Sequence, residues 1–192
     1  MKRFAVFPGS LLLSLLLSAC NLVSDYGSNS ASDVKGYATY TNNTLGISLL
    51  APENWHREMT IGGTYNMNPV PRNDYDGITA SSSTISDLFE GRLPSDVPLD
   101  VFHAQAMKSW YDATSIGPEY EVTSTRTTLS DYPAWEVTYS YTPEGSERRT
   151  VREIFTLHKG KAYFLRWYAK ASEKDRYRQE FEVIRKSYRI ID

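Results

Sequence analysis

The chain has a single cysteine, Cys20, in 192 residues. That excludes any intramolecular disulfide and leaves one thiol to be explained. It has three histidines, His56, His103 and His158. They are far apart and share no metal-ligand spacing, so each is expected on the surface or packed as a ring. There is no Gly-x-Ser-x-Gly elbow for a serine nucleophile. Gly62-Gly63-Thr64 lacks the length and the following Lys of a phosphate loop. Asp74-Tyr75-Asp76-Gly77 fits the third to sixth positions of a calcium loop, but places Arg72 first and Ser83 twelfth, where carboxylates are required. A solvated turn is expected there. No catalytic residue, metal or cofactor is expected. Clustered positive charge is also missing: the formal net charge is −2. Nucleic acid, whose phosphates demand grouped Lys and Arg, is not expected as a partner.

No apolar run is long enough to cross a bilayer, which needs ~20 residues. Leu11 to Leu17, broken only by Ser14, follows the charged pair Lys2 and Arg3. This is the pattern of a secretory signal. It ends in Leu17-Ser18-Ala19-Cys20, which resembles the bacterial lipobox. The resemblance implies cleavage after residue 19 and a diacylglyceryl group on the sulfur of Cys20. Residues 1–19 carry Lys2, Arg3 and no acid, so the mature charge becomes −4. Each buried CH₂ of an acyl chain contributes ~0.8 kcal/mol, so two or three chains hold a protein on a membrane without a spanning segment. Residues 20–35, rich in Ser, Asn, Asp and Gly, read as a flexible tether with a reach on the order of 20 Å. The expected location is the surface of the cell membrane or outer membrane, outside the cytoplasm.

What the chain does have is aromatic residues, fourteen Tyr and four Trp among them, mostly at alternating or helical positions. Trp135 to Tyr141 alternates strictly, with Trp135, Val137, Tyr139 and Tyr141 on one side, as a half-buried strand does. Val151 to His158 is a second strand, although Glu153 interrupts its apolar face. Lys159-Gly160 is a hairpin signal. Lys161 to Ala169 puts Tyr163, Leu165, Trp167 and Ala169 on one face and Phe164 and Tyr168 on the other, so both faces should be covered. Tyr177, Phe181 and Ile184 form one helical stripe, with Ser172 as the expected N-cap. Tyr188 to Ile190 should return to the sheet.

Upstream, Tyr37–Tyr40 and Ile47–Leu50 read as a short hairpin. Residues 61–77 read as the longest loop, and such loops tend to carry function. Trp55, Tyr65 and Tyr75, on or beside it, are the expected anchors for a protein partner. Gly77 to Ser86 is a strand with small side chains. Pro98 opens a helix whose stripe is Leu99, Phe102, Ala106 and Trp110, flanked by Val101 and Met107; Gly117-Pro118 stops it. Glu121 to Thr128, polar and β-branched, is expected as an edge strand or a strand covered on one side only.

The stretch Tyr40 to Trp55, a Tyr-containing strand, a Gly turn, an apolar strand and Pro52-Glu53-Asn54-Trp55, resembles the opening hairpin of PsbP-like domains. The two aromatic strands around Lys159-Gly160, the charged helix and Ser187-Tyr188-Arg189-Ile190 resemble their end. The resemblance covers most of residues 36–192. It implies an α+β fold, a central antiparallel β-sheet flanked by helices, shared by an extrinsic subunit of the photosynthetic oxygen-evolving complex and a Ran-binding import factor. It also implies a non-enzymatic assembly or binding role. No functional residue transfers. The expected function is therefore a lipid-tethered protein-binding module of the cell envelope with a protein partner there. Two alternatives stand beside it: a lipid-anchored carrier holding a small apolar ligand between sheet and helices, and an enzyme whose site is assembled from residues distant in sequence.

Overall fold

Apolar alternation with a period of two dominates the chain, and most of it is accordingly sheet. The computed structural model describes residues 34–60, 63–70, 76–114, 122–142 and 147–191. The signal segment, Cys20 and the tether up to residue 33 lie outside these residues, as do Tyr75, Asp74 and Gly117-Pro118.

Strands β1 (Tyr37–Asn42) and β2 (Ile47–Pro52) form the first hairpin; β3 (His56–Met59), β4 (Thr64–Asn68) and β5 (Gly77–Thr84) follow. A single turn, α1 (Ile85–Leu88), precedes the helix α2 (Leu99–Thr114). Then come β6 (Val122–Leu129), β7 (Tyr132–Tyr141), β8 (Arg149–His158) and β9 (Lys161–Lys170). Helix α3 (Arg178–Ser187) and the short β10 (Arg189–Ile190) close the chain. Seven strands make one antiparallel sheet in the order β3-β4-β5-β9-β8-β7-β6, and β1, β2 and β10 make a second. The closing strand thus returns to the small sheet, pairing Ile190 with Ile47, rather than to the large one.

The strand β9 lies at the centre and is apolar on both faces, and both are covered. Tyr163, Leu165, Trp167 and Ala169 join Ile47, Leu49, Phe181, Ile184 and Tyr188 in one core, between the large sheet and the layer of β2 and α3. Ala162 and Phe164 join Phe102, Ala106, Val137 and Phe155 in a second core, under α2. The fold is α+β, a central antiparallel sheet with helices on each face. Fully burying one such side chain stabilises by ~1.5–3 kcal/mol, so two cores of this size hold the three layers together. The hairpin at Lys159-Gly160 takes φ of 47° and 75°, the two left-handed positions of a tight turn matched to strand twist.

Several expectations change on folding. Residues 61–77 are not one loop: Thr64–Asn68 forms β4, with Tyr65 and Met67 buried and Asn66 on the other face. Five residues of alternation between Gly and Pro turns are too few to stand out in the sequence. The last helix starts at Arg178, and Ser172 does not cap it: residues 171–173 form a 3-10 turn held by Ala171 N–H donating to Arg148 O. Val101 does not flank the core and is exposed on α2. The side chain of Trp110 lies outside the described residues.

Candidate interaction edge

Of the three expected anchors, Trp55 and Tyr65 are buried and Tyr75 lies outside the described residues. Trp55 is 8 % exposed and Tyr65 is 2 % exposed, and both belong to the larger core. Tyr65 stacks on Tyr40 with ring centroids 3.7 Å apart, and burial pushes its hydroxyl pKa upward. Trp55 meets Tyr177 edge-on at 5.1 Å. A ring this deeply covered cannot be the first contact of a partner. Asp76, expected in a solvated turn, is 1 % exposed and accepts the backbone N–H of Lys170 at 3.2 Å. It secures the end of β9.

The two ends of the large sheet differ sharply. A sheet edge presents unpaired N–H and C=O groups to any extended chain, and natural edges are short, charged, bulged or covered. The edge β3 is four residues long and reads His-Arg-Glu-Met. The edge β6 is eight residues long, and all eight pair with β7 in unbroken register from Val122–Tyr139 to Leu129–Tyr132. It has no Pro and no bulge, its one charge is Arg126, and Thr123 to Arg126 are all exposed. No other described strand pairs with it.

Its side chains are tied to both helical layers. On the α2 face, Ser124 Oγ lies 3.1 Å from His103 Nε2. Arg126 donates to Asp100 and its guanidinium sits 4.4 Å over the Trp135 ring. The Trp135 indole N–H donates to the same Asp100 carboxylate at 3.0 Å. His103 stacks on Trp135 at 4.1 Å. On the opposite face, Arg185 of α3 donates to Thr127 Oγ1 at 2.8 Å. Arg152 clamps α3 in turn, donating to Glu136 and, at 2.8 Å, to Glu182. Burial alone pushes the Glu182 carboxyl up, but hydrogen bonds and charge from Arg152, with Arg185, hold it below the usual range. Ser124, Arg126 and Thr127 thus tie the strand to both layers, and its outer backbone edge has no described partner strand.

The Ser124–His103 pair has the spacing of a nucleophile and its base, but a working pair needs a third group to orient the base. Asp100 is committed to Arg126 and Trp135 instead. Burial lowers the His103 pKa, with Asp100 and Arg126 acting in opposite senses. His56 meets Glu58 at 3.4 Å on the surface, and His158 packs against Tyr132. Among the described residues no three His, Cys, Asp or Glu side chains group as metal ligands. The polar β-branched run of β6 left an edge and a one-sided strand both open; the sheet order makes it an edge, and its exposure among the described residues required knowing where Arg126 points.

No protein-family model matches the chain, and no curated protein sequence matches it. Solved structures do. The solution structure of the cyanobacterial PsbP (CyanoP) from Synechocystis sp. PCC 6803 superposes with a TM-score of 0.58 at 16 % identity, over 86 % of this chain and 98 % of that one. The crystal structure of LpqN from Mycobacterium tuberculosis, described as involved in cell envelope biogenesis, superposes with a TM-score of 0.50 at 18 % identity, over 76 % and 83 %. At these identities the likeness is one of fold, and the fold is PsbP-like.

Proposed function

On this PsbP-like fold we propose a lipid-tethered, non-enzymatic module of the cell envelope that binds a protein partner by strand addition at β6. The observation that carries the reading is the unguarded edge: eight residues in continuous register, free of Pro and bulges, with side chains already tied to both layers. Strand addition takes its affinity from main-chain hydrogen bonds and needs a rigid edge in advance. Cys20, at the end of the lipobox-like segment, would supply the membrane attachment. LpqN, which superposes on this fold, is described as involved in cell envelope biogenesis, which is in keeping with that location.

The test is a photo-crosslinking residue at Thr125, with one at Arg57 of β3 as control, irradiated in the intact envelope. A discrete product from Thr125 and none from Arg57 is expected. Products from Arg57 alone would move the interface to the other edge, and no product from either would overturn strand addition.

A carrier is the second reading. Trp167 Nε1 and the Tyr188 hydroxyl, both in the core beneath α3, are buried and make no hydrogen bond. A buried donor without an acceptor is costly, and a carbonyl of an enclosed ligand would relieve it. Organic extraction of the purified protein followed by mass spectrometry would yield a stoichiometric apolar compound if this reading holds.

A further inference from the structure

We propose that the strand added at β6 is β6 of a second copy of this chain, paired antiparallel with Thr125 on the two-fold axis. The inference rests on the strand-addition reading and names its partner.

The sequence of the strand is compatible with its own reverse. Around Thr125 the antiparallel pairs are Ser124 with Arg126, Thr123 with Thr127 and Val122 with Thr128. Each pair lies on one side of the sheet, as antiparallel partners must. Thr opposite Thr is a favourable cross-strand pair, and like charges directly opposite are not. An axis through Arg126 would set Arg126 against its own copy. An axis through Ser124 would leave Thr127, Thr128 and Leu129 unpaired with any residue of the described strand. Thr125 is the position that uses the strand from Val122 to Thr128 and keeps the two Arg126 side chains apart. Each Arg126 is also already neutralised by Asp100 of its own chain.

The assembly closes. A two-fold interface uses the same patch on both copies, so it consumes both unguarded edges at once. The outer edges of the joined sheet are then the two β3 strands, short and bearing His56, Arg57 and Glu58. The axis runs normal to the sheet and so keeps each layer on its own side. The β1–β2–β10 layer, into which the chain enters at residues 34–36, lies on the same face in both copies. Two N-terminal tethers then leave toward one membrane.

The experiment uses the full chain in detergent micelles. Sedimentation equilibrium of the wild-type protein should show a dimer. Under mild oxidation Thr125→Cys should form a disulfide-linked dimer at least tenfold faster than Thr123→Cys, whose counterpart across the axis is Thr127; the wild type, whose Cys20 sulfur is acylated in this reading, sets the background. Thr125→Lys sets like charges against each other across the axis and should give a monomer with an unchanged melting temperature. A wild-type protein that stays monomeric at every concentration overturns the proposal, and so does equal crosslinking of the two cysteine variants. If Thr125 meanwhile photo-crosslinks to a different envelope protein, self-pairing fails and strand addition stands.

Discussion

Glu153 of β8 and Arg166 of β9 are register partners across the ladder, and the guanidinium closes over a carboxylate that has no exposure to solvent. The second oxygen of that carboxylate, Oε1, makes no hydrogen bond. Arg166 itself is 43 % exposed, so water screens the pair on one side. Removing the partner of a buried charge costs ~3–5 kcal/mol, and this screening favours the lower end. Arg166→Ala should lower stability by about 3 kcal/mol in urea unfolding. The double variant Glu153→Leu, Arg166→Met should be markedly less damaging, because no buried charge is left alone. Equal losses in the two would mean that packing around Arg166, and not its charge, matters.

Gly77 is required by its neighbours. A Cβ there would lie 2.5 Å from Asn68 Oδ1 and 2.7 Å from the Tyr168 hydroxyl oxygen. Overpacking of this kind costs ~1–3 kcal/mol. Gly77→Ala should fall in that range by denaturant midpoint. Adding Tyr168→Phe, which removes one of the two clashing oxygens, should recover part of the loss. A neutral Gly77→Ala would show that the β4–β5 end of the sheet yields.

His103 should make stability depend on pH. Burial lowers its pKa from 6.5 in the folded protein, while Asp100 pulls the other way and Arg126 adds to the lowering. The unfolded chain then binds the proton more readily than the folded one. The contribution is complete above pH 6.5 and is lost progressively as pH falls toward the folded pKa. His103→Gln should flatten the fall in melting temperature between roughly pH 7 and pH 5, measured as the difference from wild type. Parallel curves would mean the ring titrates alike in both states.

Membrane attachment should depend on one sulfur. Cys20→Ala is expected to lose the acyl anchor, so that the protein either leaves the membrane fraction or persists as an uncleaved precursor, read by fractionation and intact mass. An unchanged, fully processed, membrane-bound variant would remove the lipid anchor from the proposed function.

Much of the fold was legible beforehand because it is local. The alternation in Trp135 to Tyr141 and Lys161 to Ala169, the Lys159-Gly160 turn and the Phe181–Ile184 stripe are each set by neighbouring residues, and each is found in place. The two-sided apolar pattern of β9 indicated cover on both faces, and two cores lie there. The surroundings of the expected anchors were not legible in the same way. Trp55 and Tyr65 stand among Gly, Asn and Pro, so they read as loop aromatics, yet each has a distant ring to pack on, Tyr177 and Tyr40. Glu153 registered only as a flaw in a strand, since its partner Arg166 comes from the next strand.

The sequence by itself determined the strands of the opening hairpin and of the C-terminal half, the Lys159-Gly160 turn and the helical stripe, because these follow from side-chain period and turn chemistry over a few residues; β3 and β4 were not among them. Only the tertiary structure decided which strand became the open edge and whether that edge was guarded. That depends on Arg126 folding back onto Asp100 and Trp135, on His103 reaching Ser124 and on Arg185 reaching Thr127. The hydrogen bonds among these span 21 to 58 residues of chain, and pairings at such separations are fixed by how whole layers pack, not by any property of the segments they join.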